Sequence, residues 1–229
     1  MTMKTKRVPN NEYKGIFDSI ASRYDEVCNA YAVSRRRDII VSWARGDCLE
    51  VGAGTGNISK ELVKKCRVVA TDISPNMISE IRKKLNIETR VCDAEKIPFP
   101  DNSFDTVVAS ECIYYLNNPQ RFLEEAHRIL RPKGHLLISS ATNISKFYEF
   151  IRAFLRRLGL KNMYFDDKNR NFMNKNQLKK LLWNTGFRII EIKRIIIMPF
   201  PFLDYFNRLL EKMFIGYLSA FILINSEKS

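Results

Sequence analysis

The sequence predicts an α/β chain built on a doubly wound, mainly parallel seven-stranded sheet, with helices ahead of the sheet and a helical cap over one end. Three observations carry this. From Cys48 onward, short apolar runs alternate with segments of helical spacing, a glycine-rich turn follows the first run, and an aspartate closes each of the next two. A chain of 229 residues, 45% of them apolar, can bury a substantial core around such a sheet.

Ile16, Phe17, Ile20 and Tyr24, then Tyr31, Val33, Ile40 and Trp43, have the spacing of two helices over 12–24 and 29–44, so residues 1–44 form an N-terminal helical segment. Residues 48–51, 68–71, 89–92, 106–109 and 135–139 are short apolar or β-branched runs suited to strands buried on both faces. Ser74-Pro75 pairs an N-cap with proline at the first helical position, and Asn118-Pro119 repeats the signal. Asn174 and Gln177 make a capping box, and Gly186 stands where that helix needs its C-terminal cap. A sixth strand is expected over 187–197 and a seventh over 219–225. The main domain thus runs from 45 to 229, with helical insertions at about 141–172 and 199–218.

Charge is unevenly placed. The net +13 resides in the flanks, since residues 38–140 hold 14 Lys and Arg against 14 Asp and Glu, whereas 1–37 hold 8 against 4 and 141–229 hold 16 against 7. Basic flanks suit phosphate, on nucleic acid or on an anionic membrane. The five cysteines are scattered, without the spacing of a zinc site or disulfide framework, and read as reduced thiols of a cytoplasmic protein; no metal is expected. The basic N-terminus lacks the apolar core of a secretory signal. The longest apolar stretch, 213–224, is well short of the roughly 20 residues that span a bilayer.

Residues 49–56, LEVGAGTG, follow a strand and lead into a helix, the context of a glycine-rich nucleotide loop. A dinucleotide fingerprint would place its last glycine one position later, where this chain has Asn57. Asp72, ending the second strand, can accept both hydroxyl protons of a ribose or cap the turn that follows it. Asp93 ends the third strand in the same way and suits an adenine amino group. Glu50, ahead of the loop, needs donors or a cation if it is buried.

LEVGAGTG, Asp72, residues 92–110 (CDAEKIPFPDNSFDTVVAS) and residues 128–139 (RILRPKGHLLIS) together resemble the successive motifs of class I, Rossmann-like S-adenosylmethionine-dependent methyltransferases. The resemblance implies S-adenosylmethionine as cofactor. It places Glu50, Gly52, Gly54 and Gly56 around the methionine end, Asp72 at the ribose, Asp93 and Ala94 about the adenine and Ser110 beyond the fourth strand, with Tyr24, Ala53, Ile73 and Met77 as further cofactor-binding residues. Residues 17–29, FDSIASRYDEVCN, are similar to the opening of the ubiquinone/menaquinone biosynthesis methyltransferases. The chain departs from that group in having Asp38 four residues after Ser34, where they carry histidine, and in lacking a glutamate after RPKGHLLISS.

Displacement at a sulfonium already carries an activated leaving group, so orientation and exclusion of water can supply much of the catalysis. Candidates at the reacting end are Glu111, as general base, Tyr114, Tyr115 and Tyr24. His127 and His135 read as packing residues. The Asn-Pro-Pro-aromatic motif of exocyclic-amine methylation and the clustered thiols of arsenite methylation are both missing. Ile144, Phe147, Tyr148, Ile151, Phe154, Leu155 and Leu158 form one apolar helical stripe, and Leu203, Phe206, Leu210, Met213, Phe214 and Tyr217 another. They suit packing on the sheet, or an apolar lid with peripheral membrane contact. The expected acceptor is therefore small and apolar, such as a quinone or isoprenoid; RNA methylation and cofactor binding without catalysis are the alternatives.

Overall fold

The computed structural model describes residues 10–27, 30–142, 173–195 and 221–229. The expected helical stripes over 144–158 and 203–217 lie outside them. Within them the seven strands form one sheet in the order β3-β2-β1-β4-β5-β7-β6. They are β1 (Asp47–Val51), β2 (Arg67–Asp72), β3 (Glu88–Val91), β4 (Phe104–Ser110), β5 (Leu130–Ala141), β6 (Phe187–Ile195) and β7 (Phe221–Lys228). The first five pair in parallel, and β7 inserts antiparallel between β5 and β6.

Alternate residues of the central strands face two separate cores. Leu49 and Val51 of β1, Val107 and Ala109 of β4, and Leu136 and Ile138 of β5 join one core with α6 (Pro119–Ile129) and α7 (Lys175–Asn184). Cys48, Val108 and Leu137, the residues between, join the other with α3 (Ala30–Trp43) and α4 (Ser59–Leu62). Period-two alternation with both faces apolar is what makes these strands read as unbroken apolar runs. The order reverses between β1 and β4, so the loops leaving their C-terminal ends diverge and open a crevice.

Capping follows the sequence. Ser74 accepts from Met77 N–H at the start of α5 (Pro75–Lys84), Asn118 from Arg121 N–H at α6, and Asn174 and Gln177 close a reciprocal capping box on α7. Gly186 takes φ +81 after that helix.

Three boundaries differ from expectation. The first helix is broken into α1 (Asn10–Ile20), a 3-10 turn over Ala21–Arg23 and α2 (Tyr24–Val27), and Ser19 Oγ bonds back to the Ile16 carbonyl just before the break. β5 starts at Leu130, not at His135, because Leu130 still pairs with Phe104 across an irregularity. β7 runs to Lys228 because its polar end is satisfied internally: Ser226 Oγ donates to the Leu136 carbonyl at 3.1 Å and Asn225 Oδ1 lies 2.7 Å from His135 Nδ1.

Candidate active site

The C-terminal ends of β1 to β4 surround a crevice whose empty space, its open mouth included, is about 720 Å³. Tyr24, Gly52, Gly54, Asp72, Ile73, Met77, Asp93, Ala94, Ser110, Glu111 and Tyr115 line it. Glu50 and Ala53 lie instead on a smaller adjoining cavity that shares Tyr24, Gly52, Gly54, Ser110 and Glu111 with the first. Gly56 lines neither. A Cβ there would sit 3.3 Å from Ile81 Cγ1, so this glycine, at φ +84, lets α5 pack against the loop.

Asp72 both shapes the loop and faces the cavity. Its Oδ2 accepts Gly54 N–H and its Oδ1 accepts Ser74 N–H, each at 2.9 Å, so the capping role and the wall position coexist in one side chain. Burial pushes its carboxyl above the ordinary range. Glu50 is 2% exposed, and Ser59 Oγ donates to it. Burial, with the charge of Asp72 adding to it against the Ser59 hydrogen bond, raises the Glu50 carboxyl to about 7. Asp93 Oδ1 accepts Glu95 N–H, which leaves Asp93 and Ala94 on the cavity wall after β3.

The N-terminal helices close over this crevice. Tyr13 and Phe17, one turn apart on α1, each meet the Tyr115 ring edge-on at 5.1 Å, and Phe17 lies 6.4 Å from Tyr24. Two aspartates clip this cover to the core. Asp18 accepts from the Ser74 hydroxyl and Asn76 N–H at the start of α5, where helix N–H groups favour an anion. Asp25 accepts from Thr55, from Asn57 at 2.8 Å and from Lys84 at 2.9 Å.

Glu111 follows β4 with φ +58, a backbone region that side chains seldom adopt. Its carboxylate is held at both oxygens: Ser139 Oγ donates to Oε1 and Tyr114 OH to Oε2, each at 2.8 Å. Tyr114 is itself 3% exposed and lies outside the cavity lining, so of the two tyrosines after β4 only Tyr115 faces the space. The neighbouring Cys112 thiol is pushed far up by burial and by Asp72, Glu111 and Glu50, which keeps it protonated. The histidines lie elsewhere, His127 against Phe187 and His135 against Asn225.

The smaller cavity brings together opposite charges. Arg36 of α3 lines it with Glu50 and the glycine loop. Its guanidinium lies 4.7 Å above the Phe221 ring, and its Nε is buried without a hydrogen-bond partner.

Comparison with known proteins decides the family. The methyltransferase-domain model matches residues 49–138. The ubiquinone/menaquinone biosynthesis C-methyltransferase of Hahella chejuensis is 32% identical over 171 residues, 63% of this chain and 69% of that enzyme. The chain belongs to the class I S-adenosylmethionine-dependent methyltransferases. The same-named enzyme of Hydrogenovibrio crunogenus is 28% identical over 205 residues, 76% of this chain and 81% of its own. The fold agrees with the crystal structure of an S-adenosylmethionine-dependent methyltransferase from Thermotoga maritima, at TM-score 0.68 and 22% identity over 94% of this chain and 99% of that one.

As a methyltransferase, the chain has wall residues that its sequence did not single out. Tyr13 lies four residues before Phe17, a helical spacing that could have added it to the N-terminal stripe. Cys112 packs under Gly52, and nothing in an isolated cysteine signals that. Arg36 is the middle of three consecutive arginines, so its local sequence reads as a solvated basic run.

Proposed function

We propose that the chain transfers the methyl group of S-adenosylmethionine to a small apolar acceptor of the quinone type, bound in its reduced, hydroxyl-bearing form. The residues fit the cofactor. Among the described residues Glu50 is a buried carboxyl group with no cation beside it and Arg36 a guanidinium with no anion, both on one cavity beside the glycine loop. An α-amino acid head supplies both missing charges, ammonium for Glu50 and carboxylate for Arg36. Asp72 keeps unused lone pairs for ribose hydroxyls, Ile73 and Met77 offer apolar contact, and Asp93 with Ala94 borders the adenine. Bound there, the cofactor supplies an electrophilic methyl on sulfonium.

The observation that carries the acceptor reading is the aromatic wall of Tyr13, Phe17 and Tyr115, joined by Leu116, on the same cavity as Glu111. Edge-on rings around a largely apolar space suit a flat, apolar ring, and exclude water around the reacting atoms. Tyr115 and Tyr24 would orient the acceptor, and Glu111 would serve as its base. The names of the two curated relatives point the same way. Among the described residues no helix is long and apolar enough to cross a membrane, so a lipid-soluble acceptor would be met by peripheral contact.

Methyl-labelled S-adenosylmethionine, incubated with the protein and with total lipid, total RNA or polar-metabolite extracts of the source organism, tests this reading. Label is expected in the lipid fraction. Label confined to RNA would make the basic flanks the substrate platform, and label confined to polar metabolites would reject an apolar acceptor.

A further inference from the structure

Three hydroxyl and carboxyl groups join the cavity wall to the interior of the sheet in one hydrogen-bonded line. Ser110, the last residue of β4, borders both cavities and sits opposite Ser139 of β5 in the parallel register. Their Oγ atoms are 2.9 Å apart, Ser139 Oγ is 2.8 Å from Glu111 Oε1, and Tyr114 OH holds Glu111 Oε2 at the same distance. The direction of the line is fixed by chemistry. A carboxylate only accepts, so the single Ser139 hydroxyl proton goes to Glu111. Ser139 Oγ also accepts Glu111 N–H at 3.1 Å, and the Ser110 proton must then point at Ser139. Ser139 is fully buried with its hydrogen-bonding capacity filled, whereas Ser110 lines both cavities and among the described residues its Oγ bonds only to Ser139, which leaves it acceptor capacity there.

We propose that Ser110, Ser139 and Glu111 are a proton relay that removes the acceptor's proton during methyl transfer. It rests on methyl transfer taking place in this cavity and not on which acceptor is used. The leaving thioether is neutral and takes no proton, so an O–H, N–H or acidic C–H acceptor must lose one elsewhere. The acceptor X–H bond breaks and its proton passes to Ser110 Oγ, while the Ser110 proton moves to Ser139 and the Ser139 proton to Glu111 Oε1. The electron pair left on X forms the X–CH3 bond as the S–CH3 pair returns to sulfur. Both serines end with one proton each, and Glu111 ends as a carboxylic acid still held by Tyr114. Ser110 touches the acceptor; Ser139 and Glu111 act through it. The left-handed backbone of Glu111 is the conformation in which its carboxylate reaches both Ser139 and Tyr114.

The test follows label transfer from S-adenosylmethionine between pH 6 and 9.5, using whichever extract takes label from the wild type. The other titratable or charged groups bordering this line are Tyr24, Tyr114, Cys112, Tyr115, Glu50, Asp72 and Arg36, and they are common to every variant compared. Ser139→Ala and Glu111→Gln are expected to lose about 100-fold at pH 7 and to regain activity as pH rises, since hydroxide replaces the lost base. Ser139→Thr, which keeps the hydroxyl, is expected to stay within several-fold of wild type. Calorimetric binding of S-adenosylhomocysteine shows that the site is intact in each. Should Ser139→Ala fail to bind it, Ser110→Ala and Glu111→Gln at the cavity wall decide. A loss that is uniform across pH would leave these side chains a packing role and overturn the relay. So would wild-type rates in Ser110→Ala beside a defective Glu111→Gln, which would mean that Glu111 takes the proton directly. Label in RNA instead of lipid overturns the acceptor reading alone.

Discussion

Glu50 and Arg36 border one cavity as a buried carboxylate with only a serine for a donor and a guanidinium with only a phenylalanine ring beneath it. No other described side chain gives either group a counter-charge, so Arg36 is open to a carboxylate and Glu50, on giving up its proton, to an ammonium. Arg36→Ala is expected to weaken S-adenosylhomocysteine binding by about tenfold to a hundredfold, the range of a charge-assisted hydrogen bond or two. Arg36→Lys should recover part of it. Titration calorimetry reads both, and an unchanged Kd in Arg36→Ala would remove Arg36 from the cofactor site.

Glu50 carries the corresponding pH dependence. Burial raises its folded-state carboxyl from 4.5 to about 7, so the ligand-free protein holds a proton there that the unfolded chain has lost. The stability this confers is fully present below about pH 4.5 and is lost as pH rises through about 7, a difference of about 3 kcal/mol. Glu50→Gln removes the titration. Its Tm is expected to exceed wild type by about 5–10 °C at pH 8.5, with the gap narrowing toward pH 5. The same variant should bind S-adenosylhomocysteine more weakly at pH 8, because the carboxylate meant for the ammonium is gone. Thermal melts across pH with and without ligand separate the two effects.

The parts of this site legible in the sequence are those fixed by local geometry. LEVGAGTG, Asp72 at the end of β2 and Asp93 just past β3 occur within a few residues of a strand end, and a strand end in a parallel sheet is where ligands sit. Helix starts at Ser74, Asn118 and Asn174 were legible for the same reason, since a cap needs only its own turn. What depended on distant partners was hidden. Arg36 shares with Glu50 a cavity lined from several elements, Ser139 meets Glu111 through strand register, and Asp25 meets Thr55 and Lys84 from a separate helix. The last three residues of β7 were missed because Ser226 looks like a loop residue until Leu136 is beside it.

Asp25 sets how firmly the N-terminal cover is held. Burial pulls its carboxyl up, but the hydrogen bonds from Thr55, Lys84 and Asn57 outweigh this and keep it below the ordinary range. Its stabilising contribution is therefore present above about pH 3.8 and lost as pH falls further. Asp25→Ala is expected to cost about 1 kcal/mol at neutral pH, since the group is partly solvated. Hydrogen exchange should quicken in α1 and α2 while the β1 and β4 amides keep their protection. Weaker cofactor binding should accompany it, because Tyr24 is on the cavity wall and the cover carries it.

Gly52 tests whether the loop itself must approach so closely. It takes φ +68, and a Cβ there would lie 2.7 Å from Cys112 Cβ, too near for any rotamer to relieve. Gly52→Ala therefore meets two costs, about 1–2 kcal/mol for the left-handed backbone and a further clash with the turn after β4. Removing only the Cys112 sulfur leaves the clash intact, because the contact is to Cβ. Cys112→Ala is accordingly expected not to rescue Gly52→Ala, whereas Cys112→Gly should recover the clash and leave the backbone cost in place. Urea unfolding of the three single and two double variants measures this. Full rescue by Cys112→Ala would show that the sulfur sets the limit instead of the backbone approach.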